Sequence, residues 1–389
     1  MGFSSFLGRY INKRKVIYHV GAWSGNFGDS ILQQSIRQNL MQASKHKLEF
    51  RYINCQHQEF TQELIEEINQ KSDLLLIGGG GLVFYRPQDN SKSGWQWNIE
   101  LDLIKTIKVP FVLYGVGYNQ FTYDKTDFLP VTNKHIQETV NRAALFSVRN
   151  NGTRSELMSR GADGSKIEVI PDSGMFLPGN HIDVPYLDKS KHKIGFNWTT
   201  DRENQTFPEP FPESRDKFIK TCIDLLNYAI EKHSAQVVYI GHMSAEFDRE
   251  IIAKLKEGLV NPPLVTDEVL AEIYPPSGEN ASYLVDIYNQ MDVVLGMRGH
   301  ANIVSFGQNT PFIGLGSHRK VRYFLDDIGR SKYFFDARPE GSFYSLENMK
   351  QCFDEIILNL ADQKQQMANE LVRQRKISDD FNKKILTLL

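Results

Sequence analysis

Residues 291–316, MDVVLGMRGHANIVSFGQNTPFIGLG, decide the fold. An apolar run ends in Arg298, Gly299 and His300. A helix-length segment through Ile303, Val304 and Phe306 follows, stopping near Gly307, and a second apolar run begins at Thr310. Strand, helix and strand at this spacing form a crossover unit, which returns the chain to the same end of a parallel sheet.

The same pattern extends in both directions. Apolar runs beginning at residues 16, 48, 73, 109, 144 and 166, and again at 193, 235, 291 and 310, read as strands. They are continuous rather than alternating, as expected where helices cover both faces of a sheet. Helical segments are expected from near Ser30, over 61–70, after Asn151, and over 216–233 and 282–290. The C-terminal run 346–389 is helical and polar on one face. Residues 177–192, LPGNHIDVPYLDKSKH, break the pattern with proline, glycine and charge and read as a linker. At 389 residues the chain exceeds one ordinary core. The expected architecture is therefore α/β, with two Rossmann-like domains facing across a cleft, residues 1–180 and 181–389.

Composition narrows the function classes. With 45 basic and 47 acidic residues the chain has no electrostatic footprint for nucleic acid. Cys55, Cys222 and Cys352 lie far apart, so neither a disulfide framework nor a zinc knuckle is indicated, and a reducing compartment fits. The N-terminus has small apolar clusters interrupted by Arg9, Lys13, Arg14 and Lys15, which suits neither a signal peptide nor a membrane span. Phe3, Phe6 and Leu7 form either a short helix packed on the body or a graze against a membrane surface.

Ligands of open α/β sheets bind beyond the carboxyl ends of the strands, so strand-end residues are the candidates. GNFGDSIL (residues 25–32) offers Asn26 and Asp29 in a glycine turn before a helix. Its carboxylate opposes the anion such a turn usually holds. DLLLIGGGG ends in four glycines, Gly79 and Gly80 among them, whose backbone could approach a ligand or simply make a tight turn. Gly117 ends the next strand. SVRN then places Arg149 at a strand end, as an anion donor or as a partner for the following helix. Asp172, in PDSGM, reads as a turn former or helix cap. Arg298 and His300 at the start of a helix make a compact cationic pocket for a small anion. His318, with Arg319 and Lys320, either adds donors or forms a solvated turn. Trp198 and His242 mark two further strand ends, and a sugar-stacking role is one reading of Trp198.

Together GNFGDSIL, DLLLIGGGGLV, the GVG turn, SVRN, PDSGM and DVVLGMRGHANIVSFGQNTPFIGLG resemble the polysaccharide pyruvyl transferase family. They occur in family order over about three quarters of the chain, from Gly21 to roughly Lys320. The resemblance implies a GT-B-like architecture and transfer of the enolpyruvyl group of phosphoenolpyruvate to a saccharide. The product is a pyruvate ketal in an exopolysaccharide, capsule or cell-wall glycan. It implies His300 as general acid, Asp29 as acceptor-side base or cation stabiliser, and Arg298 and Arg149 as anion holders. Gly79, Gly80, Gly117, His318 and Asn26 complete the expected binding set. Two positions depart from the family pattern: Asn150 where aspartate often follows the arginine, and Gly299 where a bulkier residue is common.

No metal or cofactor is expected, phosphoenolpyruvate being the donor substrate. The expected location is the cytoplasm, or the inner face of the membrane if the saccharide is lipid-linked and the N-terminus touches lipid. Two alternatives remain open: a GT-B glycosyltransferase using a nucleotide-sugar, and a non-catalytic glycan-binding protein.

Overall fold

The computed structural model describes residues 14–22, 26–56, 58–86, 90–123, 126–243, 246–270, 282–338 and 344–389. The aromatic and basic N-terminus lies outside the described residues.

The first sheet contains β1 (Arg14–Gly21), β2 (Lys47–Asn54), β3 (Leu74–Val83), β4 (Phe111–Tyr118), β5 (Leu145–Val148) and β6 (Ile167–Val169). The second contains β7 (His192–Asn197), β8 (Ala235–Tyr239), β9 (Leu264–Val265), β10 (Val293–Gly296), β11 (Phe312–Gly316) and β12 (Phe334–Asp336). Among the described residues both sheets are parallel throughout, in the orders β2-β1-β3-β4-β5-β6 and β12-β11-β10-β7-β8-β9. In each, the direction of winding reverses once, between β1 and β3 and between β7 and β10. The crevice at such a reversal is where ligands of doubly wound sheets bind.

Helices α1 (Phe27–Ala43), α2 (Gln62–Lys71), α3 (Leu101–Ile104), α4 (Pro130–Arg142) and α5 (Asn151–Ser159) belong to the first half. The second half carries α6 (Glu203–Thr206), α7 (Glu213–His233), α8 (Arg249–Gly258), α9 (Thr266–Leu270), α10 (Ser282–Asn289), α11 (Gly299–Gly307) and α12 (Arg319–Asp327). Helices α13 (Leu346–Leu358) and α14 (Leu360–Leu386) close the chain. Several starts are fixed by side-chain caps that satisfy otherwise orphaned amides. Asn26 accepts from Gly28 N, Asn150 from Thr153 N and Ser345 from Asn348 N. Ten strands fall on the expected apolar runs; the short β9 and β12 are not among the runs read as strands.

Three packing features hold the halves together. Helix α1 buries Leu32, Ile36 and Leu40 on the first sheet, while Phe27 and Ile31 join the core of the second half. The 3-10 turn Ser173–Phe176 sits between α1 and α11, and Ser35 Oγ donates to the Ser173 carbonyl at 2.5 Å. Helix α14 then runs back across the molecule. Its Met367 joins the second core, whereas Phe381 and Ile385 complete the first. Tyr114 Oη donates to Asn382 Oδ1 at 2.8 Å, and the Phe381 ring meets Tyr114 edge-on at 5.7 Å.

Phe381 is 1% exposed although it lies far along the chain from the sheet it covers. Phe381→Ala is expected to destabilise the protein by about 3–5 kcal/mol, in the usual range for emptying a buried aromatic site. Equilibrium denaturation would read this as a lowered midpoint, with loss of structure in the N-terminal half.

Candidate functional site

The two winding reversals face each other, and a cavity of about 220 Å³ lies between them. From the first half it is lined by Asn26 at the N-cap of α1, Asp29 in the first turn of that helix, Gly79 of β3, Asn119, Phe121 and Arg149. From the second half come Asp201, Arg202, His242, Arg298, His300, His318 and Lys320. Asp29, Arg149, Arg298, His300 and His318, picked out along 290 residues of sequence, thus meet in one place.

Arg149 leaves the end of β5 and is 8% exposed. Its Nη1 donates to Asp172 Oδ2 at 3.2 Å. Gly117 lies alongside, and a Cβ there would overlap the guanidinium. Gly117 is thus required to make room for Arg149 and does not itself line the cavity. Arg298 is equally buried; its Nη2 donates to Asp201 Oδ1 at 2.5 Å, and its backbone amide donates to Asn197 Oδ1 at 3.1 Å. It stands at the start of α11, where no side chain caps the helix, so the helix dipole adds positive potential at the cavity.

His300 follows in the first turn of α11, 7% exposed. Its Nε2 is buried without a hydrogen bond and lies 3.7 Å from Asp172 Oδ2. A Cβ on Gly28 would overlap the other edge of the ring, so helix α1 approaches the imidazole as only glycine allows. This accounts for the glycine that precedes Asp29. Asp29 itself stays partly exposed in the first turn of α1, beside Gly80 and Cys55. Burial and the neighbouring Asp29 carboxylate push the Cys55 thiol up to about 12, which keeps it neutral.

Two groups contribute more than their sequence context suggested. Burial, joined by the nearby Arg149, lowers the Lys320 ammonium to about 8 against the opposing pull of Asp29 and Asp201. Lys320 Nζ donates to Asn119 Oδ1 at 2.9 Å and has no carboxylate partner among the described residues. Asp172 is 4% exposed. Burial alone would raise its carboxyl, but His300, Arg149 and the Gly174 amide outweigh that and hold it down to about 2. It is a helix cap, as its motif suggested, and also an ion-pair partner of the site.

The remaining candidates have other duties. Asn26 lines the cavity while capping α1. The four glycines do not form a turn: β3 runs through them to Val83, with Gly78 and Gly80 paired to β4. The Gly79 carbonyl accepts from Gln33 Nε2 at 3.2 Å. Burial, reinforced by Lys320 and Arg149, holds His318 well below its ordinary pKa and so neutral. Because its Nδ1 accepts from the Lys320 amide at 3.3 Å, the ring proton resides on Nε2. His242 is neutral by burial, its Nε2 2.6 Å from Tyr288 Oη. Trp198 does not present a face for sugar stacking. It is fully buried, stacked on Phe207 at 5.6 Å, with Nε1 donating to Glu203. Arg202, at the end of the Trp198 to Arg202 stretch read for sugar stacking, lies at the cavity edge with its guanidinium 5.3 Å from the Phe84 ring and 5.2 Å from Phe121.

Two parallel sheets with a charged cleft at their winding reversals define the GT-B-like fold. The chain belongs to the polysaccharide pyruvyl transferase family, whose model matches residues 10–319. Comparison with curated protein sequences finds no match. Among solved structures it is similar in fold to a UDP-N-acetylglucosamine 2-epimerase at 12% identity and TM-score 0.55, over 95% of both chains. The UDP-GlcNAc 2-epimerase of Neisseria meningitidis bound to UDP-GlcNAc gives 11% identity and TM-score 0.54, covering 91% of this chain and 94% of that one. The S. aureus MnaA–UDP structure gives 15% and 0.52, covering 91% and 90%. At these identities the likeness is one of fold. Among the described residues no group of side chains is placed to hold a metal, and no helix is long and apolar enough to cross a membrane.

The lowered Lys320 pKa sets a pH dependence. The ammonium is charged below about 8 and loses its proton as pH rises through that value. Affinity for inorganic phosphate is therefore expected to fall above pH 8. Calorimetric titration should show that step in the parent protein and lose it in Lys320→Met.

Proposed function

We propose that this protein transfers the enolpyruvyl group of phosphoenolpyruvate to two hydroxyls of a saccharide, forming a pyruvate ketal in surface polysaccharide or cell-wall glycan synthesis. The observation that carries this reading is the convergence of Arg149, Arg298, Lys320, His300 and the open start of α11 on one small cavity, with Asp29 across from them. A three-carbon donor bearing both carboxylate and phosphate calls for several cations at close range. Among the described residues, helix α11 carries no carboxylate of the kind that holds the hydroxyls of a nucleotide-sugar.

The residues suit the steps. The donor's phosphate and carboxylate are held by Arg149, Arg298 and Lys320. His300 gives a proton to the methylene carbon: the new C–H bond uses the electron pair of the double bond, and the N–H pair stays on nitrogen. The central carbon becomes cationic, stabilised by its oxygen, and one sugar hydroxyl adds to it while Asp29 takes that hydroxyl's proton. Phosphate then leaves with the pair of its C–O bond, and the second hydroxyl closes the ketal and yields its proton to the departing phosphate. Asp29 returns its proton through solvent, and His300 is reprotonated, so two hydroxyl protons account for the new methyl hydrogen and the hydrogen phosphate. Charges held in place by buried partners do this work without reorganising at each step. The donor is a cytoplasmic metabolite, which places the protein there; a lipid-linked saccharide would bring it to the inner membrane face.

Phosphoenolpyruvate at a hundred times its dissociation constant is expected to stabilise the protein by about 2.7 kcal/mol, read as a raised melting temperature. With acceptor present, His300→Ala should lower phosphate release by about 10²–10⁴-fold while leaving the melting temperature of the apo protein unchanged. Stabilisation by UDP-GlcNAc but not by phosphoenolpyruvate would replace this reading with nucleotide-sugar transfer.

A further inference from the structure

Asp172, a turn former or cap by its motif, has a carboxylate that does more than cap. One oxygen, Oδ1, accepts from the Gly174 amide at 3.0 Å, which fixes the carboxylate. The other, Oδ2, faces Arg149 Nη1 at 3.2 Å and His300 Nε2 at 3.7 Å. These two side chains come from opposite halves of the molecule, Arg149 from the end of β5 and His300 from α11. Asp172 is thus the buried group that touches both.

The surroundings of the ring distinguish its two nitrogens. Nε2 is buried, without a hydrogen bond, on the Asp172 side. The Nδ1 edge lies against Gly28, where the α1 backbone packs on the ring and a Cβ would overlap it, at the cavity that His300 lines. A Cβ on Gly174 would come within 3.6 Å of Cδ2, so a second glycine brackets the Asp172 side. The charged and titratable groups around the ring are Asp29 on α1, Arg149 after β5, Asp172 before the 3-10 turn, His242 after β8, Arg298 beside it and Lys320 on α12. Among the described residues only Asp172 lies within ion-pair distance of the ring.

From this geometry we infer that Asp172 is a positioning residue: it holds His300 by Nε2, so that Nδ1 faces the cavity as the proton-donating atom, and it couples that arrangement to Arg149. The inference rests on the pyruvyl-transfer reading for its catalytic meaning. The imidazolium gives its Nδ1 proton to the donor's methylene carbon, the N–H pair staying on Nδ1. The neutral ring keeps the Nε2 proton, directed at Asp172. A bound anion that draws Arg149 from Asp172 leaves His300 as the carboxylate's remaining cation, so donor binding favours the protonated ring. Closure of the 3.7 Å gap to hydrogen-bond length is the accompanying movement.

Nitrogen-15 NMR of histidine-labelled full-length protein tests this, with His300 assigned by the signal lost in His300→Gln. The neutral ring is expected as the Nε2–H tautomer in the parent protein, a measurement that needs no variant to fold. In Asp172→Asn, the pH midpoint of the His300 signal should fall by about one unit, as expected on removing an adjacent opposite charge. In parallel, the alkaline limb of the phosphate-release profile should move to lower pH by a similar amount. An Nδ1–H tautomer, or a midpoint unmoved in Asp172→Asn, overturns the assignment even if phosphate is released. If the NMR results hold but the parent protein releases no phosphate from phosphoenolpyruvate, the pyruvyl-transfer reading fails and the Asp172–His300 pair stands.

Discussion

The structure depends on the contact between helix α1, the 3-10 turn Ser173–Phe176 and helix α11. Helix α1 serves both halves, with Leu32, Ile36 and Leu40 on one core and Phe27 and Ile31 on the other. Because interiors pack at near-crystalline density, an element shared by two cores fixes their mutual position closely. The consequence at the cleft is direct. Gly28 and Asp29 stand in the first turn of α1, Asp172 immediately precedes the 3-10 turn, and His300 opens α11. Packing that joins the halves also sets the distances between these groups.

The electrostatics follow from that placement. Arginines buried to this degree need counter-charges, since an isolated buried ion is costly. Asp172 supplies one to Arg149, and Asp201 supplies one to Arg298. They differ in exposure: the Asp172 side chain is 3% exposed and that of Asp201 37%. The first pair is part of the interior, while the second sits at the rim, where a competing anion meets less resistance. Lys320 is held by Asn119 rather than by a carboxylate, and its lowered pKa expresses that burial.

Much of this was legible in the sequence, for identifiable reasons. Buried parallel strands are long apolar runs, so the two-sheet fold and the strand-end positions of Asp29, Arg149, Arg298 and His300 could be read directly. Other features depended on partners distant in the chain. Trp198 has a strand-end position like the others, yet Phe207 folds over it and removes it from the cleft. The glycine run after Ile77 looks like a turn, but the pairing of β3 with β4 carries it on as strand. Lys320 reads equally as an added donor or as part of a solvated turn until β11 and α12 bring it over Asn119. Asp172 carries a local capping signal that conceals its long-range partners. The return of α14 to the first sheet was hidden for the same reason: a helix that is polar on one face does not say which core its other face will join.

That return constrains how the cleft can move. The halves are joined once by the segment after Leu177 and a second time by α14, a 27-residue helix anchored at Met367 in one core and at Phe381 and Ile385 in the other. At 1.5 Å per residue this is a rod about 40 Å long. A single linker would let the halves swivel freely, whereas a rod seated in both cores, beside the shared helix α1, resists that torsion.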